Sequence, residues 1–245
     1  RELGLSVQTV SLSYKEAERL GYLSGEIGRG TFVKARVTDR AGRMMLDHSP
    51  TEVLDLSIIR GVYLEEHETA SRTILRELAD GDNSGFMRPC RPVAGLDSHR
   101  ETARIWLGMM GVTAGAERIL VTNGAAHGIF LALNCIVRSN DVVLCENLTD
   151  HGIIGLSNIL GFSLKGLPTD AEGILPDALE AACAAGGVRA LVLVPTLNNP
   201  TGHVAGAERR REIAAIAERH GVFVIEDEVY RPMIEDGLPS ITEML

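Results

Sequence analysis

Three polar residues in the C-terminal third of the chain have the types and spacing to bind one ligand. Asn199 opens the turn Asn-Pro-Thr-Gly, and Asp227 and Tyr230 begin and end the tetrapeptide Asp-Glu-Val-Tyr. A pyridine-ring cofactor needs a carboxylate beside its ring nitrogen and hydrogen-bond donors beside its phenolic oxygen. Asp227 fits the first role, and Asn199 and Tyr230 fit the second.

The elements around these residues predict that they converge at one edge of a sheet. Residues 189–194 and 222–226 are predicted strands, and residues 206–220 between them are a predicted helix. In such a βαβ unit both strands end at the same edge of a parallel sheet, where open α/β sheets bind ligands. The alternative is that the first motif is only a polar turn and that Asp227 caps a loop. The two motifs together favour a binding site.

The preceding segments continue the alternation of strands and helices. We predict strands at residues 118–122, 141–146 and 162–167 and helices near residues 63–79, 100–110, 125–137, 152–160 and 176–185. Such alternation is typical of a mostly parallel sheet with helices on both faces. The turn at Gly124 leads into one of these helices, where backbone N–H groups can face a phosphate. The alternative for Gly124 is a tight turn that needs no ligand.

These motifs resemble those of the fold-type I aminotransferases, class I and II, which depend on pyridoxal 5'-phosphate. Residues 199–202 are similar to that family's NPTG turn and residues 227–230 to its D-x-x-Y motif. The resemblance covers residues 55–245 and implies the large α/β domain of that fold. It implies that Asp227 contacts the pyridine nitrogen and that Asn199 and Tyr230 contact the phenolic oxygen. It also assigns the cofactor phosphate to Gly124, Ala125 and Ala126.

Two residues depart from the family pattern. Asp150 stands where the family has an aromatic residue that stacks on the pyridine ring. Cys90 stands where relatives often carry a Tyr that reaches the cofactor phosphate of the partner subunit. Both changes would weaken cofactor binding.

The position of the lysines is a further departure. The family holds its cofactor through a Schiff base with a Lys about 30 residues beyond D-x-x-Y. We therefore expect that lysine beyond Leu245 and no catalytic residue within this chain. The lysines present are Lys15, Lys34 and Lys165. Because none of them follows the last predicted strand, we expect weak, reversible, non-covalent binding of pyridoxal phosphate by the chain as given.

The N-terminal segment has a different pattern. Gly4 can end one helix, Ser6 can cap the next, and apolar residues then recur at helical spacing as far as Leu20. A short hairpin with a Gly-rich tip follows at residues 21–33. A helix-turn-helix inserts the start of its second helix into the major groove of DNA. The alternative is a small pair of helices that packs against the larger domain.

This segment resembles the winged helix-turn-helix of GntR-type bacterial regulators. The resemblance rests on the pattern L-G-x-S-x-x-T-V and on the wing end G-x-G-T-F-V. It implies binding to double-stranded operator DNA. The implied DNA-binding residues are Ser6, Gln8, Thr9, Arg29, Gly30 and Thr31.

Composition sets limits on the class of protein. The chain has 245 residues, of which 45% are hydrophobic and 23% charged, which is ordinary for a soluble globular protein. Because it lacks an apolar run of roughly 20 residues and a signal segment, we expect a cytoplasmic location. The scattered Cys and His residues indicate no metal site. Residues 1–43 hold eight Lys or Arg and five Asp or Glu and are therefore basic, although the net charge of the whole chain is −9. A basic end on an acidic protein is a weak indication of nucleic-acid binding.

The order of these segments predicts a domain plan. We expect a winged helix-turn-helix at residues 1–35, a linker at residues 36–54 and an aminotransferase-like domain at residues 55–245. The chain begins with Arg1 and stops soon after a strand, so we expect a fragment that lacks both ends.

This plan resembles that of the MocR subfamily of GntR regulators. The resemblance implies a homodimeric transcriptional regulator in which the large domain senses pyridoxal phosphate or an amino-acid-like effector. One alternative is a class I/II aminotransferase with an N-terminal appendage, because one fold hosts many functions. Another is an interaction module without a cofactor, which Asp150 and Cys90 favour.

Overall fold

The computed structural model describes residues 4, 6–19, 22–26, 30–33, 64–81, 92–234 and 238–245. The chain divides into two units, Arg1–Ala70 and Ser71–Leu245. The predicted linker, Arg29 and Cys90 lie outside the described residues. None of the helices in the described ranges is long and apolar enough to cross a membrane.

The N-terminal unit contains one helix followed by a hairpin. Helix α1 is Val7–Arg19, and strands β1 (Leu23–Glu26) and β2 (Gly30–Val33) pair in antiparallel fashion. Ser6 caps α1, since its Oγ accepts a hydrogen bond of 3.0 Å from the backbone N–H of Thr9. The predicted helix and hairpin are therefore present in the described part of this segment.

The C-terminal unit alternates helices and strands. Helix α2 (Glu65–Asp80) runs across the division between the two units. The helices that follow are α3 (Asp97–Met109), α4 (Ala125–Ile136), α5 (His151–Leu160), α6 (Pro176–Ala184) and α7 (Ala207–His220). The main strands are β3 (Val142–Glu146), β4 (Ser163–Leu167), β7 (Val188–Leu193) and β8 (Phe223–Glu226). A small antiparallel pair, β5 (Thr169–Asp170) and β6 (Gly173–Ile174), was not predicted.

The four main strands form one parallel sheet in the order β4-β3-β7-β8. Each face of the sheet has its own core, because successive side chains of a strand point to opposite faces. Leu144, Leu191 and Leu193 pack with α6 and α7, whereas Val143 and Val192 pack with α4 and α5. The predicted α/β fold, a mostly parallel sheet with helices on both faces, is confirmed.

The predicted strand at residues 118–122 is wrong. A short 3₁₀ helix, Ala116–Arg118, occupies the start of that segment, and the residues after it make no strand pairing with the described sheet. Val121 makes one backbone hydrogen bond, from its N–H to the Ala94 carbonyl at 3.0 Å. The apolar run resembles a buried strand in sequence, but Leu120 and Val121 are 47% and 44% exposed. An apolar run becomes a strand only where a neighbouring strand completes its ladder.

A buried ion cluster joins α7 to the segment that follows β8. Arg210 is fully buried, and its Nη1 donates to Glu228 Oε1 at 2.9 Å. Arg231 donates to the same oxygen at 2.8 Å and to the Met110 carbonyl at 2.8 Å. Arg210 also donates to the Ala205 and Pro195 carbonyls and to Thr196 Oγ1. Arg210 and Arg231 thus hold the Asp-Glu-Val-Tyr tetrapeptide, which carries Asp227 and Tyr230, through its Glu228.

Candidate functional site

The Asn-Pro-Thr-Gly segment forms a closed turn after β7. Asn198 closes it, since its N–H donates to the His203 carbonyl at 3.0 Å and its Oδ1 accepts from Thr201 Oγ1 at 2.9 Å. The Asn199–Pro200 peptide bond is cis. Asn198 is buried, whereas the next residue, Asn199, is half-buried. The Asn199 side chain donates a hydrogen bond to the carboxylate of Asp150.

Asp227 follows directly after β8 at the carboxyl edge of the sheet. Its N–H donates to the Leu193 carbonyl at 2.9 Å, so the β7–β8 ladder extends by one residue. Its Oδ1 accepts from the Val229 N–H at 3.2 Å, which orients the carboxylate. Burial, followed by the charges of Asp150 and Glu228, raises the pKa of Asp227.

Asp150 lies close to Asn199, Asp227 and Tyr230, the three residues predicted to contact the pyridine ring. It caps α5, since its Oδ1 accepts from the Gly152 N–H at 2.7 Å. Its other oxygen, Oδ2, accepts from Asn199 Nδ2 at 3.3 Å. Burial raises the pKa of Tyr230, and the charges of Asp150 and Asp227 raise it further. Asn199, Asp227 and Tyr230 are therefore brought together around Asp150.

Glu146, at the end of β3, is a buried carboxyl near Asp227. It is 1% exposed, and its Oε1 accepts from the Val194 N–H at 2.8 Å. Burial raises the pKa of Glu146 to about 7, and the nearby charge of Asp227 adds to the rise. The neighbouring Asn198 side chain opposes that rise.

Gly124 lies at the start of α4 and has a backbone conformation that favours glycine. Its φ of 81° lies in the region that favours glycine, and a Cβ there would meet nothing within 4 Å. The N–H groups of the first turn of a helix have no partner within the helix. Ala125 and Ala126 begin that turn, and α4 packs against β7 and β8. The assignment of these three residues to a phosphate stays a prediction.

The predicted DNA-binding residues fall on two elements of the N-terminal unit. Ser6, Gln8 and Thr9 are exposed at the start of α1. Gly30 and Thr31 begin β2. Ser6 Oγ lies 2.8 Å from Thr9 Oγ1, so both hydroxyls already take part in the helix cap. Their contact with DNA stays a prediction.

Glu146 and Asn198 are site residues that the sequence patterns did not identify. Glu146 is an acidic residue at the end of an apolar strand, as Glu226 is at the end of β8. An acidic residue in that position is a sequence signal that could have identified Glu146 as a site residue. Asn198 directly precedes the Asn-Pro-Thr-Gly motif, and the sequence pattern assigns a role to Asn199 alone. The exposed lysine of the sheet, Lys165, lies on β4, separated from β8 by β3 and β7.

Within the described ranges the structure contains no group of His, Cys, Asp and Glu residues that could hold a metal ion. Cys145 and Cys183 are buried and Cys135 is exposed. Burial raises the pKa of the Cys145 thiol to about 12, which keeps it protonated and unreactive at neutral pH.

Comparison with solved structures shows which proteins have this fold. LysN, an α-aminoadipate aminotransferase from Thermus thermophilus, is 27% identical with a TM-score of 0.63 over 73% of this chain and 44% of its own. It was solved with N-(5'-phosphopyridoxyl)-L-leucine. N-Succinyldiaminopimelate aminotransferase from Mycobacterium tuberculosis is 27% identical with a TM-score of 0.56, over 64% and 42% of the two chains.

Curated relatives extend the similarity to regulators. The HTH-type transcriptional regulator YdeF of Bacillus subtilis (strain 168) is 26% identical over 98% of this chain and 51% of its own length. The HTH-type transcriptional regulator YjiR of Escherichia coli (strain K12) is 26% identical over 94% of this chain and 53% of its own. The chain thus spans about half the length of the curated relatives it matches.

A family model supplies the classification. Residues 51–242 match the model of the aminotransferases of class I and II, a family whose members depend on pyridoxal phosphate. That match covers the parallel sheet, both cores and the turn and strand ends that carry Asn199, Asp227 and Tyr230. The chain therefore belongs to the aminotransferase class I and II family.

Proposed function

We propose that this protein is a DNA-binding transcriptional regulator of the MocR subfamily of GntR regulators, whose aminotransferase-like domain binds pyridoxal phosphate as a sensor or effector site. The observation that carries the proposal is the gathering of Asn199, Asp227 and Tyr230 at one sheet edge. It occurs in a chain whose relatives named as transcriptional regulators align along nearly its whole length. A regulator acts on DNA, so we place the protein in the cytoplasm.

The residues of the candidate site fit the cofactor. Asp227 would bind the pyridine nitrogen and hold a proton there, because an ionised carboxylate stabilises the protonated ring. Asn199 and Tyr230 would donate hydrogen bonds to the phenolic oxygen. The open space at Gly124 would admit a phosphate to the N–H groups of Gly124, Ala125 and Ala126. Bound pyridoxal phosphate supplies an aldehyde that reacts reversibly with amines, which suits a sensor of amino-acid-like effectors.

The N-terminal unit would bind operator DNA. We propose a winged helix-turn-helix at residues 1–35, a linker at residues 36–54 and the aminotransferase-like domain at residues 55–245. In this arrangement α1 would enter the major groove, and the β1–β2 hairpin would be the wing. A homodimer would present two such units to the two halves of an operator, because operator symmetry mirrors protein symmetry.

Replacing Asp227 with Asn tests the cofactor site. The full-length protein with Asp227→Asn should bind pyridoxal phosphate at least about tenfold more weakly, because the pyridine nitrogen loses a charge-assisted partner. The absorbance spectrum of the bound cofactor should shift as the ring loses its proton. Titration followed by absorbance measures both effects. Asp177→Asn, the same change at an exposed position in α6, should have no effect. A variant with the affinity and spectrum of the parent would refute the ring-nitrogen role.

Replacing Arg29 with Ala tests the wing. The full-length protein with Arg29→Ala should bind duplex DNA more weakly, and the slope of log affinity against log salt should fall by about 1, as expected for one lost phosphate contact. Fluorescence anisotropy over a series of salt concentrations measures both. Arg104→Ala on α3, which removes an equal charge in the other unit, is the control. An unchanged affinity and slope would contradict the wing assignment.

Catalytic turnover is the competing function, since the chain belongs to an enzyme family. It is also 34% identical to Aminotransferase swnA of Metarhizium robertsii over 45% of its length. Operator binding and turnover of amino-acid and keto-acid pairs should both be measured on the full-length protein. Catalytic turnover without DNA binding would favour an aminotransferase over a transcriptional regulator.

A further inference from the structure

Three side chains of the turn after β7 form a chain of hydrogen bonds. His203 Nδ1 lies 2.7 Å from Thr201 Oγ1, and Thr201 Oγ1 lies 2.9 Å from Asn198 Oδ1. The backbone closes the same loop, since the Asn198 N–H donates to the His203 carbonyl at 3.0 Å. Both ends of the chain are shielded from water, because Asn198 is 2% exposed and His203 is 9% exposed. We call these three residues the turn relay.

The proton of the Thr201 hydroxyl fixes the direction of the turn relay. An amide oxygen only accepts hydrogen bonds, so the single hydroxyl proton of Thr201 goes to Asn198 Oδ1. His203 Nδ1 is then the donor to Thr201 Oγ1. Burial lowers the pKa of His203, although the charge of Asp170 opposes that shift. The ring is therefore uncharged at neutral pH, and its one proton is on Nδ1.

The β5–β6 hairpin holds the His203 ring in place. A Cβ at Gly173 would lie 2.7 Å from His203 Nε2, so the ring packs directly against that glycine. Arg209 on α7 holds the hairpin, since it donates to the Ile174 carbonyl at 3.0 Å and to Asp170 Oδ1 at 2.9 Å. Asp170 and Arg209 are also the charged groups of the described residues that act on His203. Elements outside the turn thus fix the donor end of the turn relay.

The other end of the turn relay meets Glu146. Burial raises the pKa of Glu146 to about 7, and hydrogen bonds from the Val194 N–H and the Asn198 side chain limit that rise. A hydrogen bond that lowers the pKa of a carboxyl is donated to its ionised form. Because Oδ1 of Asn198 faces Thr201 and only the amide nitrogen can donate, Nδ2 is the atom that faces Glu146. An amide turned the other way would present Oδ1, which can bond only to a protonated carboxyl.

We propose that the turn relay sets the charge beside Asp227, because its imidazole and hydroxyl hold the Asn198 amide nitrogen toward Glu146. His203 and Thr201 are thus positioning residues. Two titratable residues of the described chain interact with the charge of Glu146, namely Asp227 after β8 and Cys145 on β3. An ionised Glu146 opposes ionisation of Asp227, because like charges disfavour each other. The consequence for the cofactor rests on the proposed function, in which an ionised Asp227 contacts the pyridine nitrogen.

Removing the Thr201 hydroxyl tests the turn relay without any cofactor. The free energy of unfolding of the full-length protein is measured against pH for the parent, Thr201→Val and Thr201→Ser, each with and without Glu146→Gln. Within each pair the difference isolates the titration of Glu146, and it levels off at the pKa that Glu146 has in the folded protein. In the parent it should level off near pH 7. Thr201→Val should raise this levelling pH by about one pH unit, the size of one hydrogen bond to a charged group, whereas Thr201→Ser should keep the parent's value.

A second pair of variants tests the imidazole. His203→Asn keeps an amide donor at the place of Nδ1, and His203→Leu removes the donor. The levelling pH should rise in His203→Leu and stay at the parent's value in His203→Asn, so this pair decides the matter even if Thr201→Val does not fold. The same levelling pH in the parent, Thr201→Val and His203→Leu would overturn the proposal. A purely structural role would lower stability equally at every pH and would leave the levelling pH unchanged.

Titration with pyridoxal phosphate shows whether the charge of Glu146 reaches the proposed cofactor site. Between about pH 6 and about pH 8 the parent's affinity should fall about threefold more than that of Glu146→Gln, the equivalent of about half a pKa unit at Asp227. An equal fall in both proteins would overturn the effect on Asp227. Absence of binding in both would overturn the proposed cofactor site, while the stability measurement still decides the turn relay.

Discussion

Replacing Arg210 with Ala will lower the free energy of unfolding by about 3–5 kcal/mol, the usual cost of removing one partner from a buried ion pair. Arg210 is fully buried, and its loss would leave Glu228 with one guanidinium instead of two. The Ala205 and Pro195 carbonyls and Thr196 Oγ1 would also lose a buried donor. Each unsatisfied buried acceptor adds to the cost.

Arg211 provides the control for this experiment. It follows Arg210 in the same helix but is exposed and pairs with Glu208 at the surface. Arg211→Ala should change the free energy of unfolding by less than about 0.5 kcal/mol. Urea denaturation followed by circular dichroism compares the two variants with the parent. A similar stability for both variants would mean that the buried cluster does not hold the segment after β8.

The same replacement should also weaken the candidate site. Glu228 lies between Asp227 and Tyr230, and it is the residue that Arg210 and Arg231 hold. With one of its two guanidinium partners removed, Glu228 is held less firmly, and this loosens Asp227 and Tyr230 on either side of it. We expect Arg210→Ala to reduce pyridoxal phosphate affinity under conditions in which the variant is still folded, while Arg211→Ala keeps the parent's affinity.

Replacing Glu146 with Gln will change how stability depends on pH. Burial raises the pKa of Glu146 to about 7, above its ordinary value of 4.5. The folded state therefore binds this proton more tightly than the unfolded state does. The stabilisation is fully present below pH 4.5 and is lost as the pH rises through about 7. Gln is neutral at every pH. Between pH 4.5 and about pH 7 the free energy of unfolding of the variant should therefore fall by about 3 kcal/mol less than that of the parent.

The measurement is the free energy of unfolding of the parent and of Glu146→Gln at intervals between pH 4.5 and pH 8. The two curves should differ most in slope below about pH 7 and run parallel above it. Glu218→Gln, an exposed change in α7, is the control and should reproduce the parent's curve. Parallel curves for Glu146→Gln and the parent over the whole range would show that Glu146 does not carry a proton in the folded state.

Local patterns were sufficient to predict most of the C-terminal unit. The apolar runs that became β3, β4, β7 and β8 and the helices between them are encoded in consecutive residues, so their existence and order could be predicted. The parallel sheet followed from their alternation. The convergence of Asn199, Asp227 and Tyr230 followed from one topological rule about the carboxyl ends of parallel strands.

Contacts between distant residues could not be predicted in this way. Residues 118–122 have the pattern of a strand but lack a neighbouring strand in the described structure, and pairing depends on the partner rather than on the run itself. Arg210 lies within a run of three arginines that looks exposed, although it shares the buried stripe of α7 with Ile213, Ala214 and Ala217. Its burial depends on Glu228, which is 18 residues away.

The sequence by itself determined which side chains stand at the ends of the strands and at the turn after β7, because strand, helix and turn preferences act between neighbouring residues. Only the tertiary structure decided what surrounds those side chains. Asp150 meets Asn199 across 49 residues, and the carboxyl of Glu146 binds the Val194 N–H across 48. Burial and electrostatic coupling depend on such long-range contacts, and they set the charge of the candidate site.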